Sequence, residues 1–448
     1  MTTMSSLSSQ PYKGTRDYYP EDKRIQNYIF ETWKKTAQSF GYEEYGAPML
    51  EPLEVYAAKS GNELANDQTY SFIDRGDRRV AIRPEMTPSI SRMVAARRQE
   101  LAYPARLFSI ANFMRYERPQ RGREREFWQL NVDIFGVDTI QAETEIISFG
   151  SMVLKNFGAS EQMFIIKINN RDVINVMMHD YLELDEVQAQ LMIKLFDRKN
   201  KISNEDFRDQ AIDIFGAEKA PVGLKKISEL LLAKSIDALP AELLESEKLL
   251  AVRTLFAKLQ AAGVTNAVFD ITLMRGLDYY TGTVFEFFDT DPENNRSLFG
   301  GGRYDGLVGL FGAEPISAVG MAPGLTTTEL FLSSHKLLPE LTSTTELYLV
   351  VLGEHVLDDA LRLASKWRDE GLNVEVDITN RKIDKQIKTA IKKTIPFMVF
   401  LGEDEIKTEL YALKDTKSSD EQKLSFERVV TEIKDRRHSS ADELDQLL

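Results

Sequence analysis

The chain of 448 residues contains no cysteine, and this absence excludes several kinds of chemistry at once. Disulfide frameworks, thiolate zinc sites, iron–sulfur clusters and thiol nucleophiles all require that residue. We therefore expect no protein-bound zinc. The first ten residues lack the basic-then-apolar order of a secretory signal, and no apolar run approaches the roughly 20 residues that span a bilayer. These features predict a cytoplasmic protein that does not bind membranes.

Histidine is also scarce, with only four copies, which are His179, His335, His355 and His438. Each lies in a segment predicted to be helix or linker, without an identifiable group of carboxylates. A nucleophile system or metal site built on histidine is therefore not expected. The phosphate-loop pattern GxxxxGKS/T is absent, and Gly300–Arg303 does not match the dinucleotide-binding pattern GxGxxG.

The composition is that of a folded protein, with 43% hydrophobic and 28% charged residues. This apolar content excludes disorder of the whole chain. At roughly one domain per 150 residues, the length predicts about three domains. The formal net charge of −14 disfavours non-specific nucleic-acid binding by the whole surface, although it is compatible with a local basic patch.

Changes of pattern divide the first three quarters of the chain. Residues 1–10 are predicted to be a flexible lead. Short apolar runs alternate with turns over 11–170 and again over 262–332, which predicts an α+β domain with an antiparallel sheet. Between them, 171–261 is rich in Leu, Lys, Glu and Ala and predicts a helical insertion. The expected elements are helices over 21–40, 87–98 and 139–157 and strands over 79–83, 108–110, 127–132, 267–273 and 283–288.

The last quarter of the chain has a different pattern. Ser, Thr and Pro over 333–345 indicate a linker. Beyond it, strands and helices alternate over 346–437, which predicts a small α/β domain of parallel type. Residues 438–448 are polar and are expected to be a loose tail.

The densest chemical signal is a group of five arginines within the eleven residues 115–125. Pro119 and Gly122 lie among them and an apolar strand follows, which predicts a hairpin whose loop carries guanidinium groups. Guanidinium groups suit phosphate oxygens because they are planar, bidentate and permanently charged. Phe127 offers a stacking face for a base. A solvated basic loop is an equally good interpretation from composition alone.

Arg275 lies between apolar residues and a glycine, before the tyrosines Tyr279 and Tyr280. Burial of an arginine costs several kcal/mol unless an anion pairs with it. That anion is either Asp278 or part of a ligand, and for this segment alone Asp278 is the simpler choice.

Glu85 and Thr87 lie at a predicted junction between a strand and a helix. Thr87 is a suitable N-terminal cap for the helix. Glu85 could instead bind an ammonium group.

Together, six motifs resemble those of the histidyl-tRNA synthetases, a family of class II aminoacyl-tRNA synthetases, and they follow the order of that family over nearly the whole chain. They are KGTRD (13–17), RPEMT (83–87), RYERP (115–119), REFWQ (125–129), RGLDYY (275–280) and GGRYDG (301–306). The resemblance implies a catalytic domain of the class II synthetase type, a helical insertion and a C-terminal anticodon-binding domain.

The resemblance also implies a role for each residue that matches the pattern of the family. Arg115 and Arg275 are implied to be catalytic. The implied ATP-binding residues are Arg115, Glu117, Arg123 and Phe127. The implied histidine-binding residues are Glu85, Thr87, Gln129, Asp133, Arg275, Tyr280 and Tyr304. Gln120 resembles the position that approaches the acceptor end of tRNA.

A further tRNA-binding surface is predicted from a basic run in the C-terminal domain. Its residues are Arg381, Lys382, Lys385, Lys388, Lys392 and Lys393. A solvated helix face is the default interpretation of such a run. In a chain of net charge −14, its local concentration favours an electrostatic footprint for a phosphate backbone.

The implied activity joins histidine to ATP as histidyl-adenylate, with Mg²⁺, and then transfers the histidyl group to tRNA(His). A homodimer is implied as well. Two alternatives stay open: a non-catalytic synthetase-like protein with a regulatory or RNA-sensing role, and a class II synthetase for another amino acid.

The chain departs from the family pattern at three positions. Asp133 stands where the family commonly has Glu, and Trp128 replaces a frequent His. The family's arginine that clamps the γ-phosphate would fall at Thr327. Arg303 or Arg121 is expected to substitute for it.

Overall fold

The computed structural model describes residues 7–57, 68–199, 201–233, 235–274, 279–294 and 296–445, with side chains described as far as Arg437. The chain forms two compact units, residues 1–338 and 339–448. Each unit contains its own hydrophobic core.

An eight-stranded sheet forms the centre of the first unit. The strands of this unit are β1 (Glu43–Glu44), β2 (Leu50–Pro52), β3 (Ser71–Ile73), β4 (Arg79–Ile82), β5 (Ala105–Met114), β6 (Glu126–Phe135), β7 (Phe164–Asn170), β8 (Ala267–Phe269), β9 (Thr283–Asp289), β10 (Ser297–Arg303) and β11 (Ala318–Met321). The order across the large sheet is β1-β5-β6-β11-β10-β9-β7-β8. The outermost pairs are parallel and all the inner pairs are antiparallel, in agreement with the predicted sheet type.

Helices over 20–39, 141–155 and 325–334 pack against one face of this sheet. The helices of the first unit are α1 (Pro20–Ser39), α2 (Glu54–Ala57), α3 (Thr87–Ala96), α4 (Gln141–Lys155), α5 (Arg171–Asn175), α6 (Glu186–Asp197), α7 (Asn204–Phe215), α8 (Ala220–Leu232), α9 (Ala241–Leu244), α10 (Glu247–Ala261) and α11 (Leu325–Ser334). Ile29, Trp33 and Ala37 recur every four residues along α1 and are fully buried. Full burial of a side chain such as Ile29 contributes roughly 2 kcal/mol to stability. Helix α1 ends before Gly41, whose φ of +76° suits the residue after a helix.

Between β7 and β8, the described residues of 171–261 contain helices and no strand. They have a separate core, which includes Met178, Leu195, Phe196 and Leu230. The strand predicted over 267–273 ends at Phe269, because Asp270 begins a turn. Its Oδ1 accepts hydrogen bonds from the backbone N–H and the hydroxyl of Thr272.

One sheet assignment from sequence was wrong. The segment predicted over 79–83 was expected to join the sheet of 108–110 and 127–132, but β4 pairs with β2 and β3 in a separate three-stranded sheet. The pattern of a strand does not specify its partner. Arg83, which follows β4, contacts β5 in two ways: its Nε donates to the carbonyl oxygen of Asn112 at 2.8 Å, and its own carbonyl oxygen accepts from the backbone N–H of Met114 at 3.1 Å.

The second unit contains a five-stranded sheet in the order β13-β12-β14-β15-β16. Its strands are β12 (Leu347–Val351), β13 (Val374–Val376), β14 (Phe397–Leu401), β15 (Tyr411–Asp415) and β16 (Glu421–Leu424), and its helices are α12 (Leu357–Asp369), α13 (Ile383–Lys392), α14 (Glu403–Thr408) and α15 (Phe426–Asp445). The first three strands are parallel, as predicted. The hairpin of β15 and β16 was missed because β16 is short and largely exposed. Helix α15 extends through much of the segment that was expected to be a loose tail.

Within the described residues, no helix combines the length and the apolar character that a membrane crossing requires.

Substitution of Gly301 on β10 tests how closely β10 and β11 approach each other in the large sheet. A Cβ at this position would lie 2.1 Å from the carbonyl oxygen of Gly320 on the neighbouring strand β11. We predict that Gly301→Ala lowers the free energy of unfolding by about 3 kcal/mol, because the ladder between β10 and β11 must open. Urea titration followed by circular dichroism measures this change.

Gly46→Ala is the matched control, because an added methyl group there has nothing within 4 Å. Its effect should stay within about 0.5 kcal/mol. Equal effects of the two substitutions would contradict the close approach of β10 and β11.

Candidate active site

A cavity of about 1520 Å³ lies in the first unit. Its wall is built from the large sheet, the start of α3, the loop between β5 and β6, and α6. The residues predicted from the sequence that line it are Glu85, Thr87, Arg115, Glu117, Arg123, Phe127, Gln129, Tyr280 and Tyr304.

Other predicted residues stand elsewhere. Asp133 adjoins the cavity through its hydrogen bond with Tyr304. Gln120 does not line the cavity; its backbone pairs with Arg123 inside the hairpin loop. Arg275, and Asp278 as its alternative partner, lie outside the described residues.

Strand β6 supplies cavity side chains at alternate positions. Leu130 and Val132 join the core on the helix-covered face of the sheet. Because successive side chains of a strand point to opposite faces, Gln129, Asn131 and Asp133 face the other side. Gln129 and Asn131 line the cavity directly. The alternating sequence of β6 therefore places polar groups on the cavity side of an otherwise apolar strand.

A buried carboxyl group, Asp133, lies next to the cavity and contacts the lining residue Tyr304. The hydroxyl of Tyr304 donates to its Oδ1, and Asp133 is 3% exposed. A Cβ on Gly320 would lie 2.0 Å from the same oxygen, so only glycine leaves room for this carboxylate. Burial raises the pKa of Asp133 to about 7, although the hydrogen bond from Tyr304 opposes the shift.

A second buried carboxylate, Glu85, accepts a hydrogen bond from the hydroxyl of Tyr279 at 2.9 Å. Burial, and next the charge of Glu85, raise the pKa of Tyr279 well above its ordinary value, and a hydrogen bond with Thr87 opposes this rise. The prediction that Thr87 caps α3 was wrong. The cap position is Met86, which makes no side-chain capping bond, and Thr87 is the first helical residue. Its side chain is thus available to the cavity.

Another part of the cavity carries Arg115 and Arg123 of the hairpin loop. The Nε of Arg115 donates to the carbonyl oxygen of Pro84 at 2.8 Å, and its guanidinium carbon lies 5.2 Å from the centre of the Phe127 ring. Arg123 donates to Glu117 at 3.2 Å, and its side chain is 53% exposed. This end is cationic and open, whereas the end at Asp133 and Glu85 is buried.

Thr327 lines the cavity, and its hydroxyl donates to the carbonyl oxygen of Leu298 at 2.7 Å. The prediction that Arg303 substitutes for an arginine here was wrong. Arg303 is buried in an ion pair with Glu143 at 2.6 Å and does not line the cavity. Arg121, the other expected substitute, is not among the lining residues either.

One wall of the cavity was not predicted from the sequence. Helix α6 and the residue after it contribute Gln190, Ile193, Lys194, Asp197 and Arg198. Their spacing is that of an ordinary amphipathic surface helix, so no local signal distinguishes them. Their role depends on where the helical insertion packs, which is a property of the tertiary structure.

The described histidines have carboxylate partners that the sequence did not indicate. The Nε2 of His335 lies 2.7 Å from Oδ1 of the buried Asp289, while His179 and His355 lie near exposed glutamates. None of these three histidines lines the cavity. Across the described ranges, no group of three or more His, Cys, Asp or Glu is placed to hold a metal ion.

Comparisons with known proteins decide the family. The family model described as histidyl-tRNA synthetase matches residues 14–327, and the model described as anticodon binding domain matches 346–436. The chain belongs to the histidyl-tRNA synthetase family. The histidine–tRNA ligase of Leptospira biflexa is 41% identical over 430 residues, covering 96% of this chain and 98% of that protein. The histidine–tRNA ligase of Opitutus terrae is 36% identical over 442 residues, covering 96% and 99%.

The fold of the family is also found in this chain. The crystal structure of histidyl-tRNA synthetase from Nostoc sp. PCC 7120 matches with a TM-score of 0.81 and 24% identity, covering 96% of this chain and all of that one. The predicted fold class, a class II synthetase domain with an anticodon-binding domain, is therefore confirmed.

The raised pKa of Asp133 predicts how the stability of the protein depends on pH. The native carboxyl keeps its proton up to about pH 7, whereas the unfolded chain loses it near the ordinary pKa of 3.8. Raising the pH from 4 to 7 therefore removes the part of the wild-type stability that this carboxyl group contributes. Asp133→Asn has no ionisable group at this position. The difference between its melting temperature and that of the wild type should therefore increase, in favour of the variant, as the pH is raised from 4 to 7.

Asp213→Asn, at an exposed position on α7, is the control and should follow the wild type at every pH. A constant difference between Asp133→Asn and wild type from pH 4 to 8 would contradict a raised pKa.

Proposed function

We propose that this chain is a histidine–tRNA ligase, which activates histidine with ATP and then charges the 3′ end of tRNA(His). One observation carries the proposal. A single cavity combines a buried part, lined by Glu85 and Tyr304 and adjoined by Asp133, that suits histidine with an aromatic part, carrying Arg115 and Arg123, that suits a nucleotide. Such an enzyme acts where translation takes place, and we propose the cytoplasm.

The first step joins a carboxylate oxygen of histidine to the α-phosphorus of ATP, and the bond between that phosphorus and the bridging oxygen of pyrophosphate breaks. The carboxylate is already ionised at neutral pH, so no general base is required. The site must instead supply alignment and positive charge. We assign Arg115 to the α-phosphate, Arg123 to the γ-phosphate and Phe127 to adenine stacking, with Glu117 near the adenine edge. Arg275 is proposed to contact the α-phosphate and the carboxylate of histidine.

The chemistry of the buried end supports selection of histidine. A neutral imidazole presents one N–H and one lone pair. Asp133 can accept from the N–H, while the hydroxyl of Tyr280, which lines the cavity, can donate to the other nitrogen. Tyr304 orients Asp133. Analogues that leave such buried groups unpaired are rejected by factors of about 10⁴ or more.

The ammonium group of histidine is the third feature to be recognised. We assign it to Glu85, Thr87 and Gln129, all of which line the cavity. Glu85 supplies negative charge and is held by Tyr279. A charged ammonium group would offset the cost of keeping this carboxylate buried.

Magnesium is the metal that we propose to accompany ATP. It needs oxygen ligands and is commonly held by one or two carboxylates together with substrate phosphates. Glu286 on β9 is a cavity-lining carboxylate that fits this requirement. When bound, the ion would neutralise phosphate charge.

We propose that residues 346–437 are the anticodon-binding domain, with 11–170 and 262–332 as the catalytic domain and 171–261 as its insertion. On α13, Lys385 and Lys388 are exposed, with Lys382 just before the helix, whereas Gln386 is buried. Arg381 is partly committed to the fold, because it pairs with Asp377 at 2.6 Å. The lysines therefore provide most of the proposed contact with RNA, and Gln120 is proposed to approach the acceptor end.

We also propose a homodimer, which an exposed apolar surface on the small sheet supports. Phe72 and Ile73 on β3 are 48% and 67% exposed, and Met49, which precedes β2, and Leu50 on β2 are exposed as well. A second copy of this chain would cover these side chains.

The activity is tested by histidine-dependent exchange of pyrophosphate into ATP. We expect exchange with histidine and not with other amino acids. Arg115→Ala should lower the rate by about 10²–10³, because a cation aimed at the developing charge is lost. The control is Arg362→Ala, which breaks an exposed ion pair with Asp359 in the second unit and should leave the rate unchanged.

Absence of exchange with every amino acid would overturn the proposal. It would favour the second candidate, a non-catalytic synthetase-like protein with a regulatory or RNA-sensing role, to which the threonine at 327 points. Exchange with a different amino acid would identify a synthetase of other specificity.

Binding of tRNA(His) should depend strongly on salt. We expect that Lys385→Glu combined with Lys388→Glu weakens binding about tenfold or more and reduces the slope of log affinity against log salt by about 2. Filter binding over a series of salt concentrations measures both quantities. Lys366→Glu, on the exposed side of α12, is the control. An affinity that does not change with salt would contradict an electrostatic interface.

A further inference from the structure

The segment 11–18, here called the N-terminal strap, packs against the hairpin loop that carries the cavity arginines. The carbonyl oxygen of Gly14 accepts from the backbone N–H of Arg125 at 2.6 Å, and Arg125 donates to the hydroxyl of Tyr12 at 3.1 Å. Gly14 has a φ of +88°, and a Cβ there would lie 2.8 Å from Arg125 and 2.9 Å from Pro119. The strap therefore lies directly on the base of the loop.

Arg16 of the strap reaches two carboxylates on different elements. Its Nη2 donates to Glu329 on α11 at 2.6 Å, and its Nε lies 3.5 Å from Glu124 in the hairpin loop. The three side chains are between 19% and 32% exposed, so solvent screens this pair of contacts only in part.

The same three elements meet beside Thr327. The hydroxyl of Thr326 donates to Glu124 at 3.0 Å, and a Cβ on Gly122 would lie 4.0 Å from the methyl group of Thr327. Glu124, Thr326 and Thr327 all line the cavity, whereas Arg16 does not. Arg16 thus lies behind the cavity wall and in contact with a carboxylate that forms part of it.

Arg16 makes the local charge balance less unfavourable for a triphosphate. Glu124 and Glu329 carry two formal negative charges, and Arg16 reduces the total to one. The chain also has threonine at 327, where the family pattern has an arginine. A carboxylate left uncompensated in this wall would repel the phosphates of ATP.

We propose that Arg16 is a positioning residue for the nucleotide end of the cavity, where it offsets one of the two negative charges of Glu124 and Glu329 and ties the hairpin loop to the start of α11. This role rests on the proposed function, since it concerns binding of ATP. It makes the strap part of the nucleotide-binding apparatus, although no strap residue is assigned a contact with ATP.

The test is the dissociation constant for ATP with Mg²⁺, measured by isothermal titration calorimetry on the full chain, together with the melting temperature of each variant. Arg16→Gln should weaken ATP binding about tenfold, and Arg16→Lys, which keeps the charge, should stay within about threefold of wild type. The double variant Arg16→Gln with Glu329→Gln restores the original net charge and should recover ATP affinity to within about threefold of wild type. Arg362→Gln, which breaks the exposed ion pair with Asp359 in the second unit, is the matched control.

Glu124→Gln tests the same idea in a protein that retains Arg16. It removes the cavity-lining carboxylate and should bind ATP as tightly as wild type or more tightly. Unchanged affinity in Arg16→Gln, failure of the double variant to recover, or weaker binding by Glu124→Gln would each overturn the proposal. Failure to recover would indicate that Arg16 contacts phosphate itself or only holds the fold.

Calorimetry separates this inference from the proposed function. A wild-type chain that binds ATP but shows no pyrophosphate exchange would refute the ligase activity, while the Arg16 variants would still decide the role of the strap.

Discussion

Two carboxylates buried on one side of an antiparallel sheet constrain the whole cavity. Asp133 and Glu85 are 3% and 4% exposed, and each accepts a hydrogen bond from a tyrosine hydroxyl. Burial of a carboxylate is costly unless hydrogen-bond donors or cations surround it. A histidine molecule offers an imidazole N–H and an ammonium group at once. In the proposed complex, specificity for histidine therefore follows from the requirement that these buried groups be satisfied.

The two ends of the cavity solve different electrostatic problems. The end at Asp133, where we propose that histidine binds, is built from groups fixed in the sheet, and alternation along β6 and the glycine at 320 determine which atoms fit there. The end where we propose that the nucleotide binds is built from a loop, and its arginines are partly exposed and paired with Glu117. This exposed loop is held in place by contacts with other segments, and the N-terminal strap contacts it through Gly14 and Arg16. The proposed histidine end is thus fixed by the sheet, whereas the proposed nucleotide end carries its positive charge on more exposed side chains.

Much of the fold was predictable because its signals are local. The apolar spacing of α1, the arginine-rich hairpin and the alternation of β6 are all properties of short segments. The pairing partner of a strand is harder to predict, as β4 shows, because the sequence pattern of one strand does not specify which strand lies beside it. The contribution of α6 to the cavity could not be predicted either, because it depends on how the insertion packs. Arg303 illustrates a third limit: only the structure reveals that its charge is already used by Glu143.

The most direct test is a crystal structure of this chain with histidine and a non-hydrolysable ATP analogue. We expect the imidazole N–H within hydrogen-bond distance of Asp133, the ammonium group in contact with Glu85, and the triphosphate along Arg115 and Arg123. An imidazole ring bound away from Asp133, or a triphosphate that avoids both arginines, would contradict the proposed binding mode.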